Sequence, residues 1–159
     1  MPRGDRWEYH RPMPIPRPEE RIGTVLASRY RVDAMLGSGG MGAVYAGTSL
    51  EDGQKIALKV LFEECAEDPV IVRRLFREAK AASMLHHPNV IDVYDSGISE
   101  DGAPFLVLEL LSGGNLADRL KAGAATPADA LAYLLPIADA LVHAHAAGIL
   151  HRDVKPDNI

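Results

Sequence analysis

The sequence predicts an α+β fold in which an antiparallel sheet of five strands, accompanied by one helix, precedes a helical region. Between Tyr30 and Leu61, short apolar stretches alternate with turns rich in glycine or acidic residues, which is the pattern of consecutive antiparallel strands. From Thr126 to Ala147 the chain is instead rich in alanine and leucine, and it opens with a helix-capping residue. Strands that come first and helices that follow indicate an α+β protein rather than an alternating α/β protein.

The first strands are separated by a glycine-rich stretch at residues 37–40 and by the turn at residues 51–53. Asp68 and Pro69 then form a cap followed by a proline at the first helical position, which predicts a helix reaching about Met84. The apolar face of this helix is expected to carry Val70, Leu75, Ala79 and Ala82.

Two more strands are predicted at residues 90–96 and 104–109, followed by a short helix that starts near Asn115. The longer helix has Thr126 as its cap and ends before Gly148, a residue that tolerates positive φ. Pro136 lies inside this helix and predicts a kink or a local break.

Composition restricts the classes of function. The 159 residues are 47% hydrophobic and 25% charged, values that are ordinary for a globular chain. A net charge of -5 argues against a nucleic-acid partner, and no apolar run is long enough to form a transmembrane segment. The single cysteine, Cys65, excludes an intramolecular disulfide. We therefore expect a cytoplasmic location, with a membrane anchor in a longer parent protein left open.

Residues 1–21 differ in composition from the rest, because they contain five prolines and five arginines. Such a segment favours extended, solvated chain over a packed element. It predicts a disordered tail, and a docking peptide for a proline-binding module is the functional alternative.

A glycine loop follows the first strand. Residues 37–42 read Gly-Ser-Gly-Gly-Met-Gly and match the pattern G-x-G-x-x-G, in which bare backbone can approach phosphates closely. Val44 and Tyr45 continue as β-favouring residues, so we expect a hairpin lid rather than the strand-to-helix turn of a dinucleotide-binding fold. By itself the pattern also fits a glycine-rich turn that binds nothing.

Three further residues belong to the same hypothesis. Ala57 and Lys59 are two apart on a strand and therefore share a face, where a small side chain leaves room for a flat ring and a lysine reaches phosphates. Glu78 accompanies the apolar stripe of the predicted helix, and a carboxylate in that position needs a cation. A surface lysine and a solvated glutamate are the alternatives.

The last nine residues contain His151, Arg152, Asp153, Lys155 and Asn158, at the intervals H-R-D-x-x-x-x-N. Together with the glycine loop, Lys59, Glu78 and the segment 105–116, this motif resembles bacterial eukaryotic-like (Hanks-type) serine/threonine protein kinases. The resemblance implies a kinase N-lobe and hinge at residues 22–111. Residues 112–159 would be a partial helical C-lobe that ends just after the catalytic loop.

The resemblance also implies roles for individual residues. Asp153 would accept the proton of the substrate hydroxyl, Lys155 would balance charge on the phosphoryl group, and Glu78 would hold Lys59 at the α and β phosphates. Asn158 would bind Mg²⁺. The ATP-binding residues would be Leu36, Gly37, Ser38, Gly39, Gly40, Met41, Gly42, Ala43, Val44, Ala57, Lys59, Leu108, Glu109 and Leu111.

The implied activity is transfer of the γ-phosphoryl group of MgATP to serine or threonine hydroxyls of a protein substrate. The motifs D-F-G and A-P-E do not occur in the 159 residues. We therefore expect the isolated chain to transfer phosphate poorly or not at all. The alternative function is a nucleotide-binding or protein-interaction module without catalysis.

Overall fold

The computed structural model describes residues 15–159 and contains one antiparallel sheet of six strands, in the order β1-β2-β3-β4-β6-β5. Five of these strands are the predicted ones, and a two-residue strand at the edge of the sheet adds the sixth. The strands are β1 (Val25–Leu26), β2 (Tyr30–Ser38), β3 (Gly42–Ser49), β4 (Lys55–Leu61), β5 (Val93–Ile98) and β6 (Pro104–Glu109).

The core lies on one face of the sheet because alternate residues of each strand point to that face. On β4 these residues are Ile56, Leu58 and Val60, which are at most 1% exposed. They pack in one cluster with Tyr45 of β3 and Phe105 of β6. Residues 57 and 59 of β4 therefore lie on the opposite face, as the sequence predicted.

The sheet is strongly curled. The rings of Tyr30 on β2 and Phe105 on β6 meet edge to face with centroids 6.0 Å apart, although β3 and β4 lie between these two strands in the sheet. The Tyr30 hydroxyl also donates a hydrogen bond of 2.6 Å to the Asp95 carboxylate on β5. Two irregularities in the β2–β3 register, at Asp33 and Leu36, add to the bend of β2.

Of the four α-helices within residues 15–159, three begin at a residue whose side chain caps the helix. Asp68 accepts a hydrogen bond of 2.7 Å from the Val70 N–H, and Asn115 accepts one of 2.8 Å from the Asp118 N–H. Thr126 and Asp129 form a reciprocal capping box. The helices are α1 (Glu63–Ala66), α2 (Pro69–Ala82), α3 (Leu116–Lys121) and α4 (Pro127–Ala146).

Some element boundaries differ from the prediction. Strand β5 begins at Val93 rather than at residue 90, and α1 was not predicted. Helix α4 continues through Pro136 without a break, because a proline removes one helical hydrogen bond while its neighbours keep theirs. Gly148 has φ of 75°, the conformation expected just after the end of this helix. Within residues 15–159, no helix combines the length and apolarity that crossing a bilayer requires.

The predicted disordered tail needs a correction at its end. Residues 1–14 lie outside the described residues, but Pro18–Arg21 form a 3₁₀ turn. The Arg21 side chain is 3% exposed and lies 2.9 Å from the Asp101 carboxylate, and the Tyr45 hydroxyl bonds to the Pro18 carbonyl at 3.0 Å. Residue composition predicted disorder because it carries no information on contacts such as these, which join residues far apart in the sequence.

Candidate active site

The glycine loop is the tip of the β2–β3 hairpin. Gly37 pairs with Val44 and Ser38 with Ala43, and the Gly39 N–H bonds to the Gly42 carbonyl at 2.9 Å. No helix begins at the third glycine. The predicted hairpin is therefore confirmed, and its role as a lid stays a prediction.

The glycines of this hairpin meet different surroundings. A Cβ added at Gly37, Gly39 or Gly40 would meet no heavy atom within 4 Å, so the bare backbone there is open to a ligand. A Cβ on Gly42 would lie 2.2 Å from the Val60 carbonyl oxygen. Gly42 is therefore required by the close approach of β4, whereas the other three leave space suited to phosphate groups.

The register of β3, β4 and β6 brings the predicted ligand-binding side chains into cross-strand rows. Lys59 lies between Val44 and Leu106, and Ala57 lies between Ala46 and Leu108. Residues directly opposite in antiparallel strands share a face, so Val44, Ala57, Lys59 and Leu108 all belong to the face that is turned away from the core.

Not every predicted ATP-binding residue has its side chain on this face. Ala43 pairs with Val60 and is 1% exposed within the hydrophobic core, so only its backbone is available to a ligand. Leu36 and Met41 are 56% and 54% exposed at the hairpin. Both side chains are therefore largely in contact with solvent in this structure.

The predicted ion pair between Lys59 and Glu78 is not formed. Glu78 instead accepts a hydrogen bond of 2.8 Å from Arg74 Nε, one helical turn earlier on α2. Among the ion pairs of residues 15–159, none involves Lys59 within 4.0 Å. The reason for the difference is local, because an arginine at position i-4 reaches the carboxylate without any movement of the helix.

The predicted hinge, which includes Glu109 and Leu111, lies at the end of β6. The Glu109 N–H donates a 2.9 Å hydrogen bond to the Asp92 carbonyl, which ties the end of β6 to the chain that enters β5. Leu111 lies beyond the strand and is 65% exposed. The predicted backbone contact of Leu111 with a ligand stays a prediction.

The catalytic-loop motif is organised around Asp153. Lys155 Nζ lies 3.0 Å from the Asp153 carboxylate, and Asn158 Nδ2 donates 2.9 Å hydrogen bonds to both the Asp153 carboxylate and its backbone carbonyl. Arg152 adopts φ of 63°, a left-handed conformation that is uncommon outside glycine. The structure thus brings three predicted site residues together at one carboxylate.

These contacts also set the charge of the carboxylate. The hydrogen bond from Lys155, followed by that from Asn158, holds the pKa of Asp153 below its usual range. Asp153 is therefore ionised at neutral pH and able to accept a hydrogen bond. All nine residues of the motif are exposed, and the loop is tied to α3 by a 2.7 Å bond from the Leu116 N–H to the Ile159 carbonyl.

One oxygen in this loop has the chemistry of a magnesium ligand. Because Nδ2 of Asn158 is turned toward Asp153, the side-chain oxygen Oδ1 is the atom left for a cation, and amide oxygens suit Mg²⁺. The part of the chain that the structure describes contains no cluster of three His, Cys, Asp or Glu side chains arranged to hold a metal. His87, whose Nε2 lies 3.1 Å from the Asp139 carboxylate, contacts His143 with ring centroids 5.4 Å apart.

Comparison with known proteins decides the family. The model of the family described as the protein kinase domain matches residues 30–159. The chain belongs to the protein kinase family. The match includes the glycine hairpin, Lys59, Glu78 and the whole catalytic-loop motif.

Curated relatives of this kinase-family chain carry serine/threonine kinase names. It is 42% identical over 139 residues to the probable serine/threonine-protein kinase PknB of Corynebacterium glutamicum, a match that covers 85% of this chain and 22% of that protein. Serine/threonine-protein kinase PrkC of Bacillus subtilis is 38% identical over 139 residues, with 87% and 21% covered. The chain thus spans a little over one fifth of the length of these relatives.

A solved structure supports the same fold. The crystal structure of the Mycobacterium tuberculosis PknI kinase domain matches with a TM-score of 0.76 and 34% identity, over 86% of this chain and 55% of that one. The six-stranded sheet with its few helices is therefore a kinase N-lobe followed by the first helices of a C-lobe.

Sequence reasoning missed one residue beside a predicted site residue and one that belongs to the fold. Arg74 captures Glu78, and its signal was present in the spacing of four residues on a predicted helix, which makes the two side chains neighbours. Arg21 is buried against Asp101, and no local pattern predicts a contact between residues eighty positions apart.

Proposed function

We propose that this chain is the nucleotide-binding and catalytic-loop portion of a serine/threonine protein kinase that transfers the γ-phosphoryl group of MgATP to protein hydroxyls. The observation that carries the proposal is the arrangement at Asp153, whose carboxylate has Lys155 and Asn158 within 3.0 Å. An ionised carboxylate with a cation and an amide at this distance matches the catalytic loop of the family.

The nucleotide would lie between the glycine hairpin and the face that carries Ala57 and Lys59. Ala57 has a small side chain, so a flat ring could lie over it without displacing a larger one. Open backbone at Gly37, Gly39 and Gly40 supports close approach of the phosphates, and Lys59 supplies a cation to them.

Asn158 would hold a magnesium ion through Oδ1. When bound, Mg²⁺ would neutralise negative charge on the phosphates. The protein's own contribution at this point is to fix the amide, which the two hydrogen bonds to Asp153 accomplish.

Asp153 would orient the substrate hydroxyl and accept its proton late in the transfer. Lys155 would balance charge on the phosphoryl group during the same step. Its position two residues after Asp153 is typical of serine/threonine kinases, and the names of the relatives agree with this substrate class.

The expected partners are ATP and a protein that presents serine or threonine, with no nucleic acid. A cytoplasmic location is part of the proposal because one cysteine, Cys65, gives no intramolecular disulfide and ATP is an intracellular substrate.

Isothermal titration of the chain with ATP, with and without Mg²⁺, tests the proposal. Lys59→Met should weaken MgATP binding about tenfold, because it removes a hydrogen-bonding cation from the phosphates. Lys80→Met, which neutralises an exposed lysine on α2, is the matched control and should bind like the wild type. Asp153→Asn should keep MgATP binding and abolish any transfer to a serine-containing acceptor. Absence of magnesium-dependent ATP binding by the wild-type chain would contradict the proposal.

A binding module without catalysis is the second candidate. It is favoured by the separation of Lys59 from Glu78 and by the exposure of all nine catalytic-loop residues. This candidate predicts Lys59-dependent MgATP binding together with no phosphoryl transfer to any acceptor.

A further inference from the structure

The sheet part of the chain, residues 15–111, makes one hydrogen bond to the helical part, residues 112–159, and His87 supplies it. This residue lies in the connection between α2 and β5, and its side chain is 10% exposed. Its Nε2 atom lies 3.1 Å from the carboxylate of Asp139, a residue of α4. Among the hydrogen bonds of the described residues, no other joins the two parts.

The backbone determines which nitrogen of the neutral His87 ring carries the proton. The Asn89 N–H donates to Nδ1 at 3.2 Å, so Nδ1 presents its lone pair. The proton of the neutral imidazole then lies on Nε2, which donates it to the Asp139 carboxylate. His87 is therefore oriented by the sheet part through one nitrogen and bonded to the helical part through the other.

Helix α4 contacts the His87 ring through two residues on one side of the helix. Asp139 and His143 are four residues apart and are therefore neighbours on the helix surface. The His143 ring lies beside the His87 ring, with centroids 5.4 Å apart and planes tilted by 37°. Ala140 and Ala144, which follow these two residues, are 9% and 7% exposed. Helix α4 is therefore packed next to the contact with His87.

The direction of α4 determines where the catalytic loop lies. The helix ends at Ala146, and the motif that contains Asp153 and Asn158 follows shortly after it. Lys59 and the glycine hairpin belong instead to the sheet part. A rotation of α4 about the His87 contact would therefore move the catalytic loop relative to the residues proposed to bind the nucleotide.

We infer that Asp139 is a positioning residue, which holds the catalytic loop in a fixed position relative to the nucleotide-binding face by accepting the hydrogen bond from His87. It acts through α4 and touches no substrate. The inference rests on the proposed function for its consequence to nucleotide and Mg²⁺ binding, but not for the joint between the two parts. Because no second hydrogen bond joins those parts, loss of this one should raise the fraction of molecules with a displaced α4 about fivefold.

The distance between the two parts tests the joint without any nucleotide. Spin labels are attached to cysteines at two exposed positions, Glu51→Cys in the sheet part and Ala132→Cys on α4, after Cys65→Ser has removed the native thiol. Double electron–electron resonance then gives the distribution of distances between the labels. Asp139→Ala removes the acceptor and introduces a strong helix former, so α4 should persist while the distribution becomes broader than in the wild type.

Three variants control this measurement. Asp139→Asn keeps a side-chain oxygen that can accept from Nε2, so it should keep the wild-type distribution. His87→Ala should broaden the distribution as Asp139→Ala does. His86→Ala is the matched control, because it removes the neighbouring, exposed histidine, and it should leave the distribution unchanged. A wild-type distribution in Asp139→Ala, or equal broadening in Asp139→Asn, would overturn the inference.

Titration with ATP tests the consequence for the site. Lys59 and the glycine hairpin lie in the sheet part and Asn158 in the helical part, so only the gain in affinity from Mg²⁺ requires both parts. Asp139→Ala should bind ATP like the wild type without Mg²⁺ and about fivefold more weakly with it. An undiminished gain from Mg²⁺ would overturn the positioning role. If the distances broaden as expected but no variant binds ATP, the joint stands and the proposed function fails.

Discussion

Gly40 and Gly42 lie two residues apart in the glycine hairpin, but they face different constraints. An added Cβ has free space at position 40, whereas at position 42 it would lie 2.2 Å from the Val60 carbonyl oxygen. Backbone atoms of a paired strand cannot move aside as a flexible side chain can. The requirement for glycine at position 42 therefore arises from packing of β3 against β4, whereas no neighbouring atom imposes such a requirement at position 40.

Gly42→Ala should consequently destabilise the chain by about 1–3 kcal/mol, the usual cost of forcing an extra carbon into a packed region. Gly40→Ala is the matched control and should change stability by less than about 0.5 kcal/mol. Urea denaturation of the two variants and the wild type measures both quantities. Equal stability of the two variants would show that β3 and β4 do not approach as closely as described.

At the scale of elements, a polar network crosses β2, β3 and β4 at the end of the sheet remote from the glycine hairpin. Asp33 accepts hydrogen bonds from Arg31 Nε at 2.7 Å, from the Thr48 hydroxyl at 2.5 Å and from Lys55 Nζ at 3.1 Å. The hydrogen bond from Arg31, followed by that from Thr48, holds the pKa of Asp33 well below its usual range. The network therefore depends on an ionised carboxylate.

The lowered pKa of Asp33 fixes the direction of a pH effect. Its stabilising contribution is complete above the pKa of an unfolded Asp, about 4, and is lost as pH falls below that value toward the folded pKa. Asp33→Asn should cost about 1 kcal/mol at pH 7 and progressively less below pH 4. Urea denaturation at pH 7 and pH 3 measures the change. Glu67→Gln, at an exposed position, should show no such dependence; an Asp33→Asn cost that is the same at both pH values would contradict the argument.

The elements that could be predicted from sequence are those specified by residues close to one another. Asp68, Asn115 and Thr126 each predicted the start of a helix, because a capping side chain bonds to a backbone N–H only two or three residues later. The hairpin and the shared face of Ala57 and Lys59 likewise follow from strand periodicity.

Two features could not be predicted from the sequence: the ion-pair partner of Glu78 and the short strand β1. The sequence indicated that Glu78 needs a cation, and the structure shows that Arg74 supplies it. Residue types alone did not distinguish Arg74 from Lys59 as the partner. Strand β1 has only two residues and gave no periodic signal. At the catalytic loop, by contrast, Asp153, Lys155 and Asn158 lie within six residues, and the structure brings their side chains into contact.

At the scale of the whole molecule, the folded unit begins earlier than the family match, which starts at residue 30. Arg21 lies 2.9 Å from Asp101 in the turn between β5 and β6, and their side chains are 3% and 14% exposed. Asp101 is also held by the Ala103 N–H at 3.2 Å. The Arg21 Nη2 atom makes no hydrogen bond of good geometry, so this contact is chiefly an attraction between two charges removed from water.

Removing one partner of such a pair leaves the other charge buried without compensation. Arg21→Met should therefore lower the free energy of unfolding by about 3 kcal/mol, more than an exposed ion pair contributes. Arg17→Met is the matched control, because its pair with Glu20 is exposed, and it should leave the stability almost unchanged. In the Arg21→Met background, Asp101→Asn should recover part of the loss, since the unpaired charge is then gone. Thermal denaturation of the wild type, the two single variants and the double variant measures these differences. A double variant that is less stable than Arg21→Met alone would contradict the buried pair, and with it the conclusion that residues 15–29 belong to the folded unit.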